Sequence, residues 1–123
     1  ADAVFFTAWS TYNKALSAPC FEVSRRLHPL CNDIRRMGTA AVELCMLAEG
    51  AAEIYFEIRL SPWDFAGASV ILREAGGFIG SMDGPVDYDR PCPVIAANSE
   101  ESLGAVTNVV RDVFGGRVPY RSG

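Results

Sequence analysis

The spacing of apolar residues divides the chain into short segments of two kinds. The stretch EIYFEIRL, residues 53–60, alternates and is rich in β-branched and aromatic residues, which predicts a β-strand. Apolar residues recur at roughly helical spacing over 20–31, which predicts a helix with Pro29 near its end. The same reasoning predicts the remaining elements: strands in 2–8, 33–38, 78–84 and 92–98, and helices in 39–50, 63–77 and 100–114.

Polar residues and glycines mark the ends of the predicted helices. Thr39 is suited to cap the helix 39–50, and Gly50 is suited to stop it. Asn98 or Ser99 is suited to cap the last helix. The helix 39–50 is apolar nearly all round, so we expect it to be covered on more than one side.

The order of these elements predicts the fold class. Strands and helices alternate along the chain, which predicts an α/β fold with a mixed, mostly parallel sheet of about five strands and helices on both faces. The connection 82–92 is too short for a parallel crossover, so we expect the last two strands to be antiparallel. Residues 1–114 form the predicted domain, and residues 115–123 are predicted to be a loose tail.

Composition and charge exclude several classes of function. Of the 123 residues, 50% are hydrophobic and 21% are charged, which is enough for one packed domain and unlike a disordered chain. The net charge of −4 argues against nucleic acid or an anionic membrane as a partner. The sequence has no apolar run of about 18 residues and no recognisable signal peptide. We therefore expect a cytoplasmic protein.

The cysteines and the single histidine do not form a recognisable metal-binding pattern. Cys20, Cys31, Cys45 and Cys92 are widely spaced and include no CxxC pair, so a zinc site is not expected and four reduced thiols are. His28 precedes a proline and is interpreted as a helix-end residue rather than a ligand or a base.

The stretch SPWDFAGA, residues 61–68, places an acid at the start of a helix. Pro62 suits a first helical position, so Asp64 falls in the first turn, where a carboxylate stabilises a helix by about 0.3–1 kcal/mol. A second interpretation is a ligand site, because α/β proteins bind ligands at the carboxyl ends of strands. Glu57 lies near the end of the preceding strand, and residues 38–40 form another strand-to-helix junction. Two carboxylates and an open helix N-terminus suit a hard cation and an anionic, polar substrate.

Three motifs occur in order: Gly38-Thr39-Ala40, then Trp63-Asp64-Phe65-Ala66-Gly67-Ala68, then Glu74-Ala75-Gly76-Gly77. Together they resemble the C-terminal half of the inositol monophosphatase family of Mg²⁺-dependent sugar-phosphatases. The resemblance is strong over residues 34–84, looser over 93–113 and weaker over 1–33.

The resemblance implies a role for each matching residue. Asp64 corresponds to an aspartate that ligates Mg²⁺, and Glu57 to an acid that binds substrate hydroxyl groups. Gly38, Thr39 and Ala40 correspond to a segment that lines the substrate pocket. The small residues at 66 and 67 are interpreted as allowing close packing of the helix, and Glu74 as part of a structural helix end. The implied enzyme is a homodimeric phosphomonoesterase that hydrolyses inositol monophosphate or a similar sugar phosphate with metal-activated water.

The sequence also departs from the family. The first half of the family carries a metal-binding Glu and an Asp-Pro-x-Asp-Gly-Thr element, and neither has a counterpart here. One aspartate leaves most of the six-oxygen shell of Mg²⁺ to water. We therefore expect the main catalytic residues to lie in a missing N-terminal half, and the chain alone to be inactive, as a truncated form, a proteolytic fragment or one part of a split protein.

Other interpretations remain open from the sequence. The substrate could be fructose bisphosphate, histidinol phosphate or a phosphorylated nucleotide. The chain could also be a non-catalytic domain that keeps the fold for assembly, or an unrelated α/β binding module.

Overall fold

The computed structural model describes residues 4–8, 14–31, 33–35 and 39–120. Each predicted strand and helix is found in whole or in part, with 3₁₀ turns at Lys14–Leu16 and His28–Leu30; residues 2–3 and 36–38 of the predicted strands lie outside the described residues. In chain order the elements are β1 (Val4–Ala8), α1 (Ser17–Leu27), β2 (Asp33–Arg35), α2 (Ala40–Ala48), β3 (Ile54–Leu60), α3 (Pro62–Glu74), β4 (Phe78–Gly80), β5 (Cys92–Ala97) and α4 (Glu100–Phe114).

The strands form one mixed sheet in the order β2-β1-β3-β5-β4. Strand β1 is parallel to both β2 and β3, whereas β5 is antiparallel to both β3 and β4. The predicted antiparallel pairing of the last two strands is therefore confirmed, because the connection 81–91 holds no helix that could carry the chain across the sheet. The described strands make two parallel and two antiparallel pairs, so the expected predominance of parallel pairs is not observed.

Helices cover both faces of the sheet, as predicted. Strand β3 shows why: Ile54, Phe56 and Ile58 are buried in one apolar cluster with residues of α1 and α4. Tyr55, in the alternate position, is buried in a second cluster with residues of α2 and α3. The alternation that predicted the strand thus supplies apolar side chains to two cores.

The helix ends follow the local sequence. The Thr39 hydroxyl accepts the Val42 backbone N–H (3.3 Å), and the Ser99 hydroxyl accepts that of Ser102 (3.1 Å), so the predicted cap at 39 and one of the two candidates at 98–99 are confirmed. His28 follows α1 and begins a 3₁₀ turn, as expected for a helix-end residue. Cys20 and Cys92 are buried thiols, and Cys31 and Cys45 are half-buried.

The Glu-Ala-Gly-Gly motif closes α3. Gly76 has a φ of 86°, a left-handed conformation that glycine adopts without strain. At Gly77 a Cβ atom would clash with Cδ1 of Leu72, which is fully buried. The chain turns tightly over the helix here, which gives the motif a structural explanation.

Part of the predicted loose tail is docked on the domain. Val118 is buried, and the Tyr120 hydroxyl donates a hydrogen bond to the Ile58 carbonyl oxygen (2.7 Å). The Arg59 guanidinium lies 4.9 Å from the centre of the Tyr120 ring. The expected loose tail is therefore not observed over residues 115–120, because Tyr120 bonds a residue far away in the sequence, a contact that local patterns do not reveal.

Candidate functional site

The parallel strands bring the predicted site residues to one edge of the sheet. Strands β1, β2 and β3 run in the same direction, so their carboxyl ends meet at one edge. Helix α2 begins beyond β2 at that edge, with Thr39 as its cap and Ala40 as its first residue. Helix α3 begins directly beyond β3 and carries Asp64 in its first turn. Gly38, the remaining member of the predicted pocket segment, lies outside the described residues.

Asp64 caps its own helix and is also exposed to solvent. Its Oδ2 accepts a hydrogen bond from the Ser61 backbone N–H (3.2 Å), while the Asp64 N–H donates to the Ser61 carbonyl oxygen (2.9 Å). The capping interpretation is therefore realised. An ionised carboxylate offers about four lone-pair sites on its two oxygens, so one capping bond leaves it able to bind a cation as well. The two interpretations of Asp64 are compatible.

Glu57 lies inside β3, opposite Ala8, the last residue of β1. Its side chain is half-buried, and its Oε1 accepts a hydrogen bond from the Tyr55 hydroxyl (3.2 Å). Tyr55 is fully buried. Tyr55 was not among the site residues predicted from the sequence. The signal was available, since residues two apart on a strand share a face.

The N-terminus of α2 contributes backbone groups and a buried acid. The first N–H groups of a helix are the positive end of its dipole and attract anions. Ala40 is 8% exposed, and Glu43 in the same first turn is completely buried. Glu43 belongs to the core rather than to the surface of this helix.

A complete metal site does not form from the described part of the chain. Within residues 4–8, 14–31, 33–35 and 39–120, no group of three or more His, Cys, Asp or Glu side chains could hold a metal ion. Mg²⁺ requires six oxygen ligands in near-octahedral geometry. Asp64 can supply one carboxylate to such an ion, and the described residues do not supply the remaining protein ligands.

The connection between β4 and β5 lies at the same edge, because β5 begins at Cys92, which pairs with Leu60 at the end of β3. Asp87 orders this loop: its Oδ1 accepts the backbone N–H groups of Asp89 (2.8 Å) and Arg90 (3.1 Å), and its Oδ2 accepts from Arg90 Nε (3.0 Å). The backbone bond from Asp89, then the Arg90 guanidinium, lower the pKa of the Asp87 carboxyl.

The outer face of α3 is apolar and exposed. Trp63 is 83% exposed, Val70 53% and Ile71 50%, and their spacing places them on one face with Gly67. A Cβ atom at Gly67 would meet nothing within 4 Å. The expectation that Gly67 allows close packing is therefore wrong within the described residues, where the space beside it is open.

None of the helices in the described ranges is both long enough and apolar enough to cross a bilayer.

Comparisons with known proteins agree with this fold. The sequence model of the inositol monophosphatase family matches residues 6–113. Inositol monophosphatase 2 of Homo sapiens is 38% identical over 96 residues, which are 77% of this chain and 33% of that protein. The Nus factor SuhB of Vibrio cholerae is 34% identical over 110 residues, which are 89% of this chain and 41% of that protein.

The solved structures show the same architecture. A structure of SaIMPase-II, a staphylococcal enzyme, bound to inositol monophosphate superimposes with a TM-score of 0.77 at 25% identity, covering 95% of this chain and 45% of that one. The chain spans less than half the length of each of these three relatives.

Proposed function

Because the chain belongs to the inositol monophosphatase family, we propose that it is the C-terminal domain of a Mg²⁺-dependent phosphomonoesterase. The proposed substrate is inositol monophosphate or a similar sugar phosphate. The observation that carries the proposal is the shared edge: Asp64, Glu57 and the N-terminus of α2 all lie at or near the carboxyl ends of the parallel strands. Ligands of α/β proteins bind at such edges.

Each residue receives a role that its chemistry allows. Asp64 contributes one carboxylate to the metal ion. Glu57, oriented by Tyr55, accepts hydrogen bonds from substrate hydroxyl groups. The segment 38–40 lines the pocket through backbone groups. Inositol monophosphate, the ligand bound in the SaIMPase-II complex, carries both an anionic phosphate and several hydroxyl groups, which supports this division of roles.

The remaining metal ligands and the main catalytic groups are assigned to a part of the protein outside these residues. Two facts support this: the chain covers 33% of human inositol monophosphatase 2, and the described residues lack a metal-binding cluster. We also propose that the longer protein is cytoplasmic, which cell fractionation tests. The sequence resemblance further implies a homodimer, which light scattering tests.

A second candidate is a domain that keeps the fold but serves for assembly rather than catalysis. The observation that favours it is the same shortage of metal ligands among the described residues. Similarity to a protein named as a Nus factor is consistent with it. The two candidates predict opposite results when phosphate release is measured in the longer protein.

The test is a phosphate-release assay with Mg²⁺ on the 123-residue chain and on the longer protein that contains it. The substrates are inositol monophosphate, fructose bisphosphate, histidinol phosphate and a phosphorylated nucleotide. We expect release only from the longer protein, fastest with inositol monophosphate. Release by the chain alone would refute the placement of the catalytic groups, and no release from the longer protein would favour the assembly domain.

A further inference from the structure

We propose that Tyr88, in the loop between β4 and β5, is a positioning residue that holds the first two turns of α3, and with them Asp64, in place. The role of Asp64 in metal binding rests on the function proposed above. The contacts of Tyr88 are observations of the fold and stand independently of it.

Tyr88 is hydrogen-bonded to the buried side of α3. Its hydroxyl oxygen lies 3.1 Å from Oγ of Ser69, which is fully buried. The Ser69 hydroxyl donates its proton to the Ala66 carbonyl oxygen one turn earlier (2.7 Å). A serine hydroxyl has one proton to give. The Tyr88 hydroxyl is therefore the donor in the bond between them.

A ring contact joins Tyr88 to the residue that follows Asp64. The centres of the Tyr88 and Phe65 rings lie 5.6 Å apart at an interplanar angle of 39°, within the range of attractive aromatic pairs. Phe65 is completely buried, so its ring cannot move without disturbing the core. The Arg73 guanidinium, near the end of α3, lies 5.9 Å from the centre of the Tyr88 ring. Tyr88 thus contacts α3 both beside Asp64 and further along the helix.

The loop is ordered enough to serve as a fixed support. Asp87, the residue before Tyr88, accepts two backbone N–H groups of the loop, and its own N–H donates to the Cys92 sulfur (3.4 Å). Val86 is buried at the start of the same turn. Hydrogen bonds within the loop therefore hold Asp87, Asp89 and Arg90, and burial in the core holds Val86.

The opposite side of α3 offers no comparable support within the described part of the chain. Trp63 and Val70 are largely exposed, and the space beside Gly67 is open. The position of the first turns of α3 consequently depends on contacts of its inner face, which include those of Tyr88 with Phe65 and Ser69. A metal ligand must be held within about 0.5 Å of its productive position, so a loosened support should weaken metal binding.

The first experiment measures amide hydrogen exchange in the 123-residue chain. Tyr88→Phe removes the hydroxyl and keeps the ring, so the core contact with Phe65 remains. We expect the amides of residues 66–70 to exchange at least several-fold faster in this variant. The matched control is Tyr120→Phe, which also loses one hydroxyl donor to a buried acceptor but on the other face of the sheet. Unchanged exchange at 66–70 in Tyr88→Phe would overturn the proposal, as would equal acceleration in the control.

The second experiment measures Mg²⁺ binding to the longer protein by calorimetry without substrate. Tyr88→Phe and Ser69→Ala should each raise the dissociation constant about tenfold, the lower value for loss of a group that orients a metal ligand. The double variant should bind Mg²⁺ about as weakly as Ser69→Ala alone, because that change already removes the bond to Tyr88. Tyr120→Phe should bind Mg²⁺ as the unmodified protein does.

The outcomes separate the two proposals. If the unmodified longer protein binds no Mg²⁺, the proposed function fails, and the exchange experiment still decides whether Tyr88 holds the helix. If exchange accelerates but the variants bind Mg²⁺ with unchanged affinity, Tyr88 is only structural and the positioning proposal is wrong.

Discussion

The Tyr55 hydroxyl donates a hydrogen bond to Oε1 of Glu57, 3.2 Å away on the same strand. Tyr55 is completely buried between β3 and the helices α2 and α3, whereas Glu57 is half-buried. A core residue with little freedom to move therefore limits the orientation of a carboxylate near the site edge. The relationship links the packing of the sheet to the proposed recognition of substrate hydroxyl groups.

Tyr55→Phe should raise the KM of the longer enzyme for inositol monophosphate several-fold with a smaller change in kcat. The reason is that Glu57 stays present but loses a hydrogen bond that orients it. The free energy of unfolding should fall by about 1 kcal/mol, the usual value for one hydrogen bond. Steady-state kinetics and urea denaturation measure the two effects. An unchanged KM in Tyr55→Phe would argue against a substrate-binding role for Glu57 that depends on Tyr55.

Asp64→Asn should reduce the turnover of the longer enzyme by at least about 100-fold, the upper value for losing a group that only supports a metal ligand. The substitution keeps the size of the side chain and removes its negative charge. The free energy of unfolding should change by at most about 1 kcal/mol, because a first-turn acid contributes no more than that to its helix. The control is Glu74→Gln at the other end of α3, which should leave turnover unchanged. Normal turnover in Asp64→Asn would refute the assignment of Asp64.

Glu22 should contribute to stability in a way that is lost in acid. Hydrogen bonds from Arg25 first (2.7 Å), then from Arg26 (2.8 Å), lower the pKa of Glu22 from 4.5 to about 2. A lowered pKa means that the stabilisation is complete above the unfolded value near 4.5 and disappears as the pH falls toward 2. Between these values the unmodified chain should lose more stability than Glu22→Gln does.

Urea denaturation at about pH 5 and about pH 3 measures this difference in stability, which follows from the linkage between protonation and folding. The control is Glu53→Gln, because Glu53 is exposed. Because Arg25 and Arg26 are surface groups, the difference should shrink in high salt. Equal loss of stability in the unmodified chain and in Glu22→Gln would contradict the prediction. Arg26 also bonds Asp112 of α4, so the same measurement probes the contact between α1 and α4.

Local signals in the sequence predicted most of the fold. Alternation indicated β3, and the predicted caps at Thr39 and at Asn98 or Ser99 indicated where α2 and α4 begin. These signals succeed because they act over a few residues. The short connection predicted at 82–92 was also sufficient to predict an antiparallel pair, since chain length limits how two strands can be joined.

The candidate site was only partly predictable, because it depends on contacts between distant segments. Asp64 and Glu57 came from a motif and its neighbouring strand, and the topology brings both near one edge. Tyr88 lies 19 residues from Ser69, and no periodicity within either segment connects them. The docking of Tyr120 on Ile58 was missed for the same reason.

The effect of Gly67→Ala on stability tests whether the outer face of α3, exposed in the 123-residue chain, is covered in the longer protein. In the 123-residue chain a Cβ at Gly67 meets nothing within 4 Å, so the substitution should stabilise the helix by up to about 1 kcal/mol. Gly104→Ala in α4 is the matched control, because Gly104 is also helical and a Cβ there would likewise meet nothing within 4 Å. Urea denaturation of the chain should show both variants to be more stable.

In the longer protein the two variants should diverge. If the proposed N-terminal half packs on the exposed face formed by Trp63, Gly67 and Val70, an added methyl group overpacks that contact and should cost about 1–3 kcal/mol. Gly104→Ala should still stabilise. Equal stabilisation by both variants in the longer protein would show that nothing packs closely at Gly67. The N-terminal half would then not cover the apolar face of α3.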